Sequence, residues 1–189
     1  MRSIVFKISL LVVIMFFLNG KVDAAGNVLN EGDLAFIHGE SGKIIYIANP
    51  KVKTFEGEII DLLGTNYDMN PIYSMGERFG ESLIWQNVRA DFQPDKTMTL
   101  IDIRNDNIKT GRGVKVGDPS SNFFIRYGNP AQNGIYDGGK YSWYRYYYND
   151  SRSALKIYFV VDNIKDIIVM IRADVLPFFS IPKLDNDFR

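Results

Sequence analysis

Two similar segments, 64 residues apart, constrain the fold of this chain more than any other feature. Residues 54–64 (TFEGEIIDLLG) and residues 118–128 (DPSSNFFIRYG) each begin with a helix-capping residue, Thr54 or Asp118, and end with a glycine. Between these ends, apolar residues recur at the spacing of one helix face. Similarity at a fixed spacing is typical of a repeated structural unit. The pattern therefore predicts one helix in each segment.

Strand-like runs follow both predicted helices. Residues 70–73 (NPIY) resemble residues 133–136 (NGIY), and residues 103–106 (IRND) resemble residues 171–174 (IRAD). Between these matches, β-branched and aromatic residues are frequent, and both types favour strands. We therefore predict an α+β fold with two tandem repeats, each a helix followed by three or four antiparallel strands.

A β-hairpin is predicted before the first repeat, because residues 34–37 and 43–48 flank the turn sequence GESG. After the second repeat, an apolar tail with two prolines and two phenylalanines is expected to pack without helical structure. The chain is thus divided into a signal peptide at 1–24, the hairpin at 25–50, repeat 1 at 51–108, repeat 2 at 109–174 and a C-terminal tail at 175–189.

The first residues have the pattern of an export signal. Arg2 and Lys7 precede an apolar stretch at 8–18, which covers about half of a ~30 Å hydrocarbon core as a helix. Val22 and Ala24 fit cleavage after Ala24. We therefore expect a secreted or periplasmic protein that has no stable membrane span once the signal is removed.

The composition narrows the class of protein further. The chain has no cysteine, so it lacks the cleavage-site cysteine of a bacterial lipoprotein and must be stabilised by core burial instead of disulfides. Removal of the signal lowers Lys+Arg from 22 to 19 and Asp+Glu from 22 to 21, which leaves a net charge near −2. Without a basic run, nucleic acid is not the expected partner.

Candidate catalytic and metal-binding residues are few. His38 is the single histidine and lies in the predicted hairpin turn, with no serine and aspartate pattern around it. One histidine and no cysteine do not make a usual zinc site, and the aspartates lack the spacing of a calcium loop. The glycines around Arg112 are interpreted as a structural turn. We therefore expect a protein that is not an enzyme and has no catalytic residue, metal or cofactor.

The most informative run is YSWYRYYY at residues 141–148. In a strand, alternate side chains point to opposite faces, and Arg145 suggests that its own row faces solvent. Applied to the other strands, strict alternation directs Ile167, Val169 and Ile171 inward. The predicted outward set, assigned to partner binding, is Tyr141, Trp143, Arg145, Tyr147, Tyr158, Met170, Arg172 and Arg104. Alternatives are that the Phe178–Phe179 tail, the hairpin or a second copy of the chain covers this face.

The stretch TGRGVKVGD at 110–118, with YGNP at 127–130, carries a resemblance to known families. It resembles the exported repeat units of β-lactamase inhibitory protein and the small lipoproteins that help to assemble outer-membrane proteins. The resemblance implies helices packed on an antiparallel sheet, with two such units in tandem in the inhibitor. The missing cysteine departs from the lipoproteins, and no functional residue is transferred.

The residue types on the predicted outward face are those enriched at protein interfaces. We therefore expect an exported, non-enzymatic binding protein that recognises a protein partner, with inhibition of an extracellular hydrolase as one form of this role. The alternative is a cell-envelope structural protein or a carbohydrate-binding protein. The sequence assigns no oligomeric state.

Overall fold

The computed structural model describes residues 28–47, 52–148 and 155–175. The predicted signal peptide, its cleavage site after Ala24, the predicted boundary at residues 50 and 51, and the tail after Val175 lie outside the described residues. Within these residues, the chain forms two α-helices and two β-sheets, an α+β arrangement.

The elements alternate between short helices and runs of strands. The helices are α1 (Glu56–Leu63) and α2 (Ser120–Tyr127). The strands are β1 (Val28–Leu29), β2 (Ala35–His38), β3 (Ile44–Tyr46), β4 (Asp68–Ser74), β5 (Glu77–Ile84), β6 (Val88–Phe92), β7 (Met98–Ile103), β8 (Ile108–Thr110), β9 (Gln132–Tyr136), β10 (Tyr141–Tyr148), β11 (Lys156–Asp162) and β12 (Ile167–Asp174).

The predicted N-terminal hairpin is confirmed and belongs to a small sheet. Strands β2 and β3 pair antiparallel, with Phe36 opposite Ile45. On its other side, β2 pairs with β8, where Phe36 lies opposite Thr110. The segment that connects the two helix-and-strand sets therefore contributes a third strand to the hairpin.

The large sheet has the order β10–β11–β12–β7–β6–β5–β4. Strands β1 and β9 both pair with β10, on the side that faces away from β11. Helix α1 is followed by the meander β4–β7, and helix α2 by the meander β9–β12. The two meanders join through the antiparallel pair β7 and β12, where Ile103 faces Ile171 and Asp102 faces Arg172. Among the described strands, β4 is an outer edge of the sheet.

Both helices end at the predicted glycines. Gly64 and Gly128 have φ values of 87° and 71°, which favour glycine, and each backbone N–H donates to a carbonyl in the last helical turn. Each helix has eight residues. In the part of the chain that the structure describes, no helix is long and apolar enough to cross a membrane.

Both helices begin later than their predicted caps. The capping positions are Phe55 and Pro119, so the prediction of Thr54 and Asp118 is wrong by one residue. The physical reason is that both side chains accept other hydrogen bonds. Thr54 Oγ1 accepts the backbone N–H of Tyr46 at 2.8 Å, and the Asp118 carboxylate accepts a backbone N–H of the connector before α2.

The main core lies between one face of the large sheet, here called the helix face, and a layer formed by the two helices and the small sheet. Phe123 of α2 stacks on Phe159 of β11, with ring centroids 4.9 Å apart and planes 4° apart. Tyr146 reaches the helix end, where its hydroxyl donates to Gly128 O at 2.7 Å. Aromatic packing thus fixes α2 on the second meander.

A β-bulge changes the predicted phase of β12. Val160 pairs with Met170, but the next residue of β11, Val161, pairs with Ile168. Ile168 therefore joins the main core and Val169 packs on the opposite side, which corrects the prediction that Val169 points inward. An extra residue in one strand reverses the alternation beyond it.

Candidate functional site

The predicted partner-binding residues of β10, β11 and β12 lie on the sheet face opposite the helix face, here called the outer face. Trp143, Tyr158 and Met170 form a cluster separate from the main core. The side chains of this face run across the sheet in rows of cross-strand neighbours. One row, from β10 to β6, consists of Arg145, Tyr158, Arg172, Asp102 and Arg89. The adjacent row consists of Tyr147, Lys156, Asp174, Leu100 and Asp91.

Most of these residues are buried, which corrects the expectation of an open aromatic face. The buried members of the predicted set are Trp143, Arg145, Tyr147, Tyr158, Met170 and Arg172. Tyr158 has an exposed fraction of 0% and Arg172 of 3%. Tyr141 and Arg104 are half-buried. The members on β10, β11 and β12 share one side of the sheet, whereas the prediction of solvent exposure is wrong for the buried members.

Arg145 contacts other side chains of the outer face, and for this reason its row of side chains is not exposed to solvent. Arg145 Nη1 donates to Tyr147 Oη at 2.9 Å, and its guanidinium lies 5.0 Å from the Tyr158 ring centroid. Arg172 donates to both Asp102 oxygens, at 2.5 and 2.6 Å. A buried guanidinium is tolerated when carboxylates, hydroxyls and rings satisfy it.

The pKa shifts of side chains on the outer face are those expected of buried groups. Burial raises the pKa of Asp174 above its usual range, although the Lys156 ammonium, 2.5 Å away, opposes the shift. Burial also raises the pKa of Tyr158 to about 12. Both directions follow from the cost of placing a charge away from water. The rows therefore hold charged groups away from water, where each depends on its neighbours on the outer face.

An exposed apolar surface lies elsewhere, on the hairpin of β4 and β5, here called the edge hairpin (residues 68–84). Met69, Tyr73, Met75 and Phe79 are all exposed, with fractions of 64% for Tyr73 and 102% for Met75. Strand β4 pairs with β5 on one side. The edge hairpin thus places four large apolar side chains in solvent within eleven residues.

Sequence reasoning missed this surface although one signal was present. Met75 and Gly76 form the two-residue turn of the hairpin, and both have positive φ, 52° and 87°. Two positive φ values are the requirement of the turn that most often joins two strands, in which asparagine or aspartate usually precedes glycine. Met75 is not a typical residue at the first position of this turn, so the sequence does not predict the turn. The sequence predicts residues 70–73 only as part of the repeat.

A groove of about 280 Å³ lies beside the edge hairpin. Its lining residues are Arg78, Gly80, Glu81, Gln93, Pro94 and Lys96. Gly80 is required at its base, because a Cβ atom there would lie 2.0 Å from the carbonyl oxygen of Phe92 on β6. The close approach of β5 and β6 therefore fixes the positions of the charged groups around the groove.

Four charged side chains form a cluster at the groove. Lys96 Nζ donates to Glu56 Oε2 at 2.9 Å and also to Glu81 Oε1. Arg78 Nη2 donates to Glu81 Oε2 at 3.0 Å. Burial and a hydrogen bond with Glu81 raise the pKa of Glu56, whereas hydrogen bonds with Glu56 and Lys96 lower the pKa of Glu81. Glu81 is therefore the more firmly ionised carboxylate of the pair.

The remaining sequence candidates have local roles. His38 Nδ1 lies 3.0 Å from Ser41 Oγ within the same hairpin turn. Arg112 of the glycine-rich connector donates to both oxygens of Asp33, at 2.5 and 2.6 Å, and so ties the connector to the N-terminal segment. Among the described residues, no three histidine, aspartate or glutamate side chains converge as metal ligands would.

No protein-family model matches this chain, and no curated protein matches it. Two solved structures are similar to parts of this chain. An extracellular protein containing a SCP domain from Bacillus anthracis str. Ames has a TM-score of 0.45 and 8% identity over 68% of this chain and 45% of that one. This chain thus spans less than half of that protein. A DUF4309 family protein (YjgB) from Bacillus subtilis subsp. subtilis str. 168 has a TM-score of 0.42 and 12% identity over 81% of this chain and 94% of that one.

Proposed function

We propose that this chain is an exported, non-enzymatic binding protein that recognises a protein partner through its edge hairpin. The observation that carries the proposal is the exposure of Met69, Tyr73, Met75 and Phe79 on one hairpin. Methionine and aromatic residues are enriched at protein interfaces, and Arg78 on the same hairpin adds a residue type common in binding hot spots. The edge hairpin replaces the outer face as the proposed site, since a buried side chain is not available to a partner.

Recognition is proposed to use side chains and not strand addition. Pro71 lies in the middle of β4 and has no backbone N–H to donate to an added strand. Proline on an edge strand is a common protection against pairing with another chain. The exposed backbone of β4 is therefore a poor template, whereas its side chains and those of the turn are free to enter a partner's cleft.

Affinity capture from the extracellular fraction of the source tests the proposed surface. The baits are the wild type, the hairpin variant Tyr73→Ser/Phe79→Ser and the control Ile125→Ser, which replaces an exposed apolar residue on α2. We expect the hairpin variant to lose partners that the wild type and the control retain. The same partner set on all three baits would refute the edge hairpin. A captured hydrolase that the protein inhibits would identify the role as inhibition.

The outer face is tested in the same experiment by Trp143→Ala/Tyr147→Ala. Both residues are buried, so circular dichroism and thermal melting must first show that this variant folds. A folded variant that loses the partner, beside a hairpin variant that keeps it, would return the site to the outer face.

We also infer that the two helix-and-meander halves arose by duplication. The helices begin 64 residues apart, at Glu56 and Ser120, and β4 and β9 begin 64 residues apart, at Asp68 and Gln132. Strands β5 and β10 keep the same spacing at both ends. Superposition of residues 56–84 on residues 120–148 tests the inference. A superposition of β5 on β10 that leaves α1 and α2 apart would contradict it.

Export is the remaining part of the proposal and rests on the charged and apolar pattern of residues 1–24. When the whole chain is expressed in a bacterium with a general secretion pathway, we expect the exported product to begin at Ala25. Mass spectrometry of the intact product checks this. A product that retains Met1 and stays with the cells would contradict export.

A further inference from the structure

The groove beside the edge hairpin is electrically polarised. The carboxylates of the cluster are covered, with exposed side-chain fractions of 7% for Glu81, which lines the groove, and 18% for Glu56 beside it. Its cations lie at the entrance, at 59% for Arg78 and 50% for Lys96. A group that enters from solvent therefore meets N–H donors before it meets oxygen atoms.

The two cations retain donor capacity after their internal contacts. A guanidinium has five N–H donors, and the Arg78 contact with Glu81 uses one nitrogen, Nη2. An ammonium has three, and Lys96 directs two of them to Glu56 and Glu81. The planar guanidinium is suited to a carboxylate, which it binds through two parallel hydrogen bonds.

The backbone holds Lys96 in an unusual conformation. Lys96 has a φ of 64°, in the left-handed region that favours glycine and asparagine. Its carbonyl oxygen accepts the backbone N–H of Glu56 at 3.0 Å, and its own N–H donates to Gln93 O at 2.8 Å. These contacts hold the backbone of Lys96, which lines the groove, at a conformational cost that a glycine would avoid.

We propose that this groove receives the carboxylate of an acidic side chain from the protein partner. The proposal rests on the proposed function, because the edge hairpin beside the groove supplies the apolar part of the same interface. The exposed Arg78 guanidinium and Lys96 ammonium offer N–H donors to an oxyanion, and the oxyanion that a protein partner carries is the carboxylate of an acidic side chain. A partner lysine would face Arg78 and Lys96 and is disfavoured.

The probes are two small molecules that differ in one functional group. N-acetyl-glutamate N′-methylamide carries the carboxylate, and N-acetyl-glutamine N′-methylamide is its neutral isostere. Each is titrated into the full mature protein labelled with nitrogen-15, and the Arg78 Nε–H and the backbone amides of Gly80 and Gln93 are followed by NMR. We expect saturable shifts with the glutamate derivative, in the millimolar range typical of a fragment of this size, and at least tenfold weaker binding of the glutamine derivative.

A matched pair of variants locates the effect. Arg78→Gln removes the exposed guanidinium from the edge hairpin and is expected to weaken glutamate-derivative binding at least tenfold. Lys53→Gln removes a similarly exposed cation, one that lies 3.8 Å from Asp95 and outside the groove lining, and is expected to leave binding unchanged. Equal responses to the two probes, or equal losses in the two variants, would overturn the proposal.

The probe titration and the capture experiment test different proposals, so one proposal can be refuted while the other is supported. Probe binding together with capture that ignores the edge hairpin would support the carboxylate groove and refute the proposed partner surface. Capture that depends on the edge hairpin, without discrimination between the two probes, would support the proposed function and refute the groove.

Discussion

The contact between Asp102 and Arg172 joins the two meanders at the centre of the large sheet. The two residues face each other across β7 and β12, and both carboxylate oxygens accept guanidinium N–H bonds. The exposed fractions are 0% for Asp102 and 3% for Arg172. At this depth neither charge has water to stabilise it, so each depends on the other and on the neighbouring polar groups of the outer face.

Loss of one partner is therefore expected to destabilise the protein more than replacement of both. Asp102→Ala leaves a buried guanidinium without its carboxylate and should lower the free energy of unfolding by about 3–5 kcal/mol. Asp102→Leu/Arg172→Met replaces the pair by apolar groups and should cost at least about 2 kcal/mol less than Asp102→Ala. Urea denaturation of the three proteins checks the order. A double variant less stable than Asp102→Ala would show that the pair is not the source of the effect.

At the level of elements, the sequence predicts segments whose signals are local. The glycine at each helix end follows from the backbone conformation that ends a helix, and the N-terminal hairpin follows from its turn sequence. The α+β class follows from the alternation of helical and strand-like periods. Each of these needs information from only a few neighbouring residues.

Elements that depend on pairing between distant strands are not predictable in the same way. The bulge between Val160 and Val161 is a shift of register between β11 and β12, and it moves Ile168 into the core. Strand β8 forms because the connector returns to β2, about 70 residues earlier in the chain. A single sequence carries no direct record of such long-range registers.

The candidate site illustrates the same limit. Alternation correctly assigns Tyr158, Met170 and Arg172 to one face, since it depends on strand geometry alone. Exposure depends on which groups pack on that face, and Arg145 is buried because Tyr147 of its own strand and Tyr158 of the neighbouring strand contact its guanidinium. The edge hairpin is not predictable as an exposed surface, because apolar residues in a strand suggest burial.

For the molecule as a whole, three buried tyrosines lie on the two sides of the large sheet. Tyr127 of α2 packs on Tyr146 of β10, with ring centroids 5.4 Å apart, within the main core. Tyr158 of β11 lies on the outer face of the same sheet. Burial raises the pKa of Tyr127 and of Tyr146 well above the usual value, and that of Tyr158 to about 12. The folded protein therefore keeps all three hydroxyls protonated at a pH where the unfolded chain ionises them.

This difference predicts that the protein loses stability at alkaline pH. A raised pKa contributes stability that is fully present below the unfolded value, about pH 10, and is lost as pH rises through the folded value. Each tyrosine should contribute about 1.4 kcal/mol per pH unit to the fall in the free energy of unfolding above about pH 10. Urea denaturation from neutral to alkaline pH, with tyrosinate absorbance as a second signal, measures the slope. Tyr158→Phe should make the slope shallower by one such contribution, whereas Tyr73→Phe, in the exposed edge hairpin, should leave it unchanged. Identical slopes in the wild type and in Tyr158→Phe would contradict the assignment of Tyr158 as a buried, protonated group.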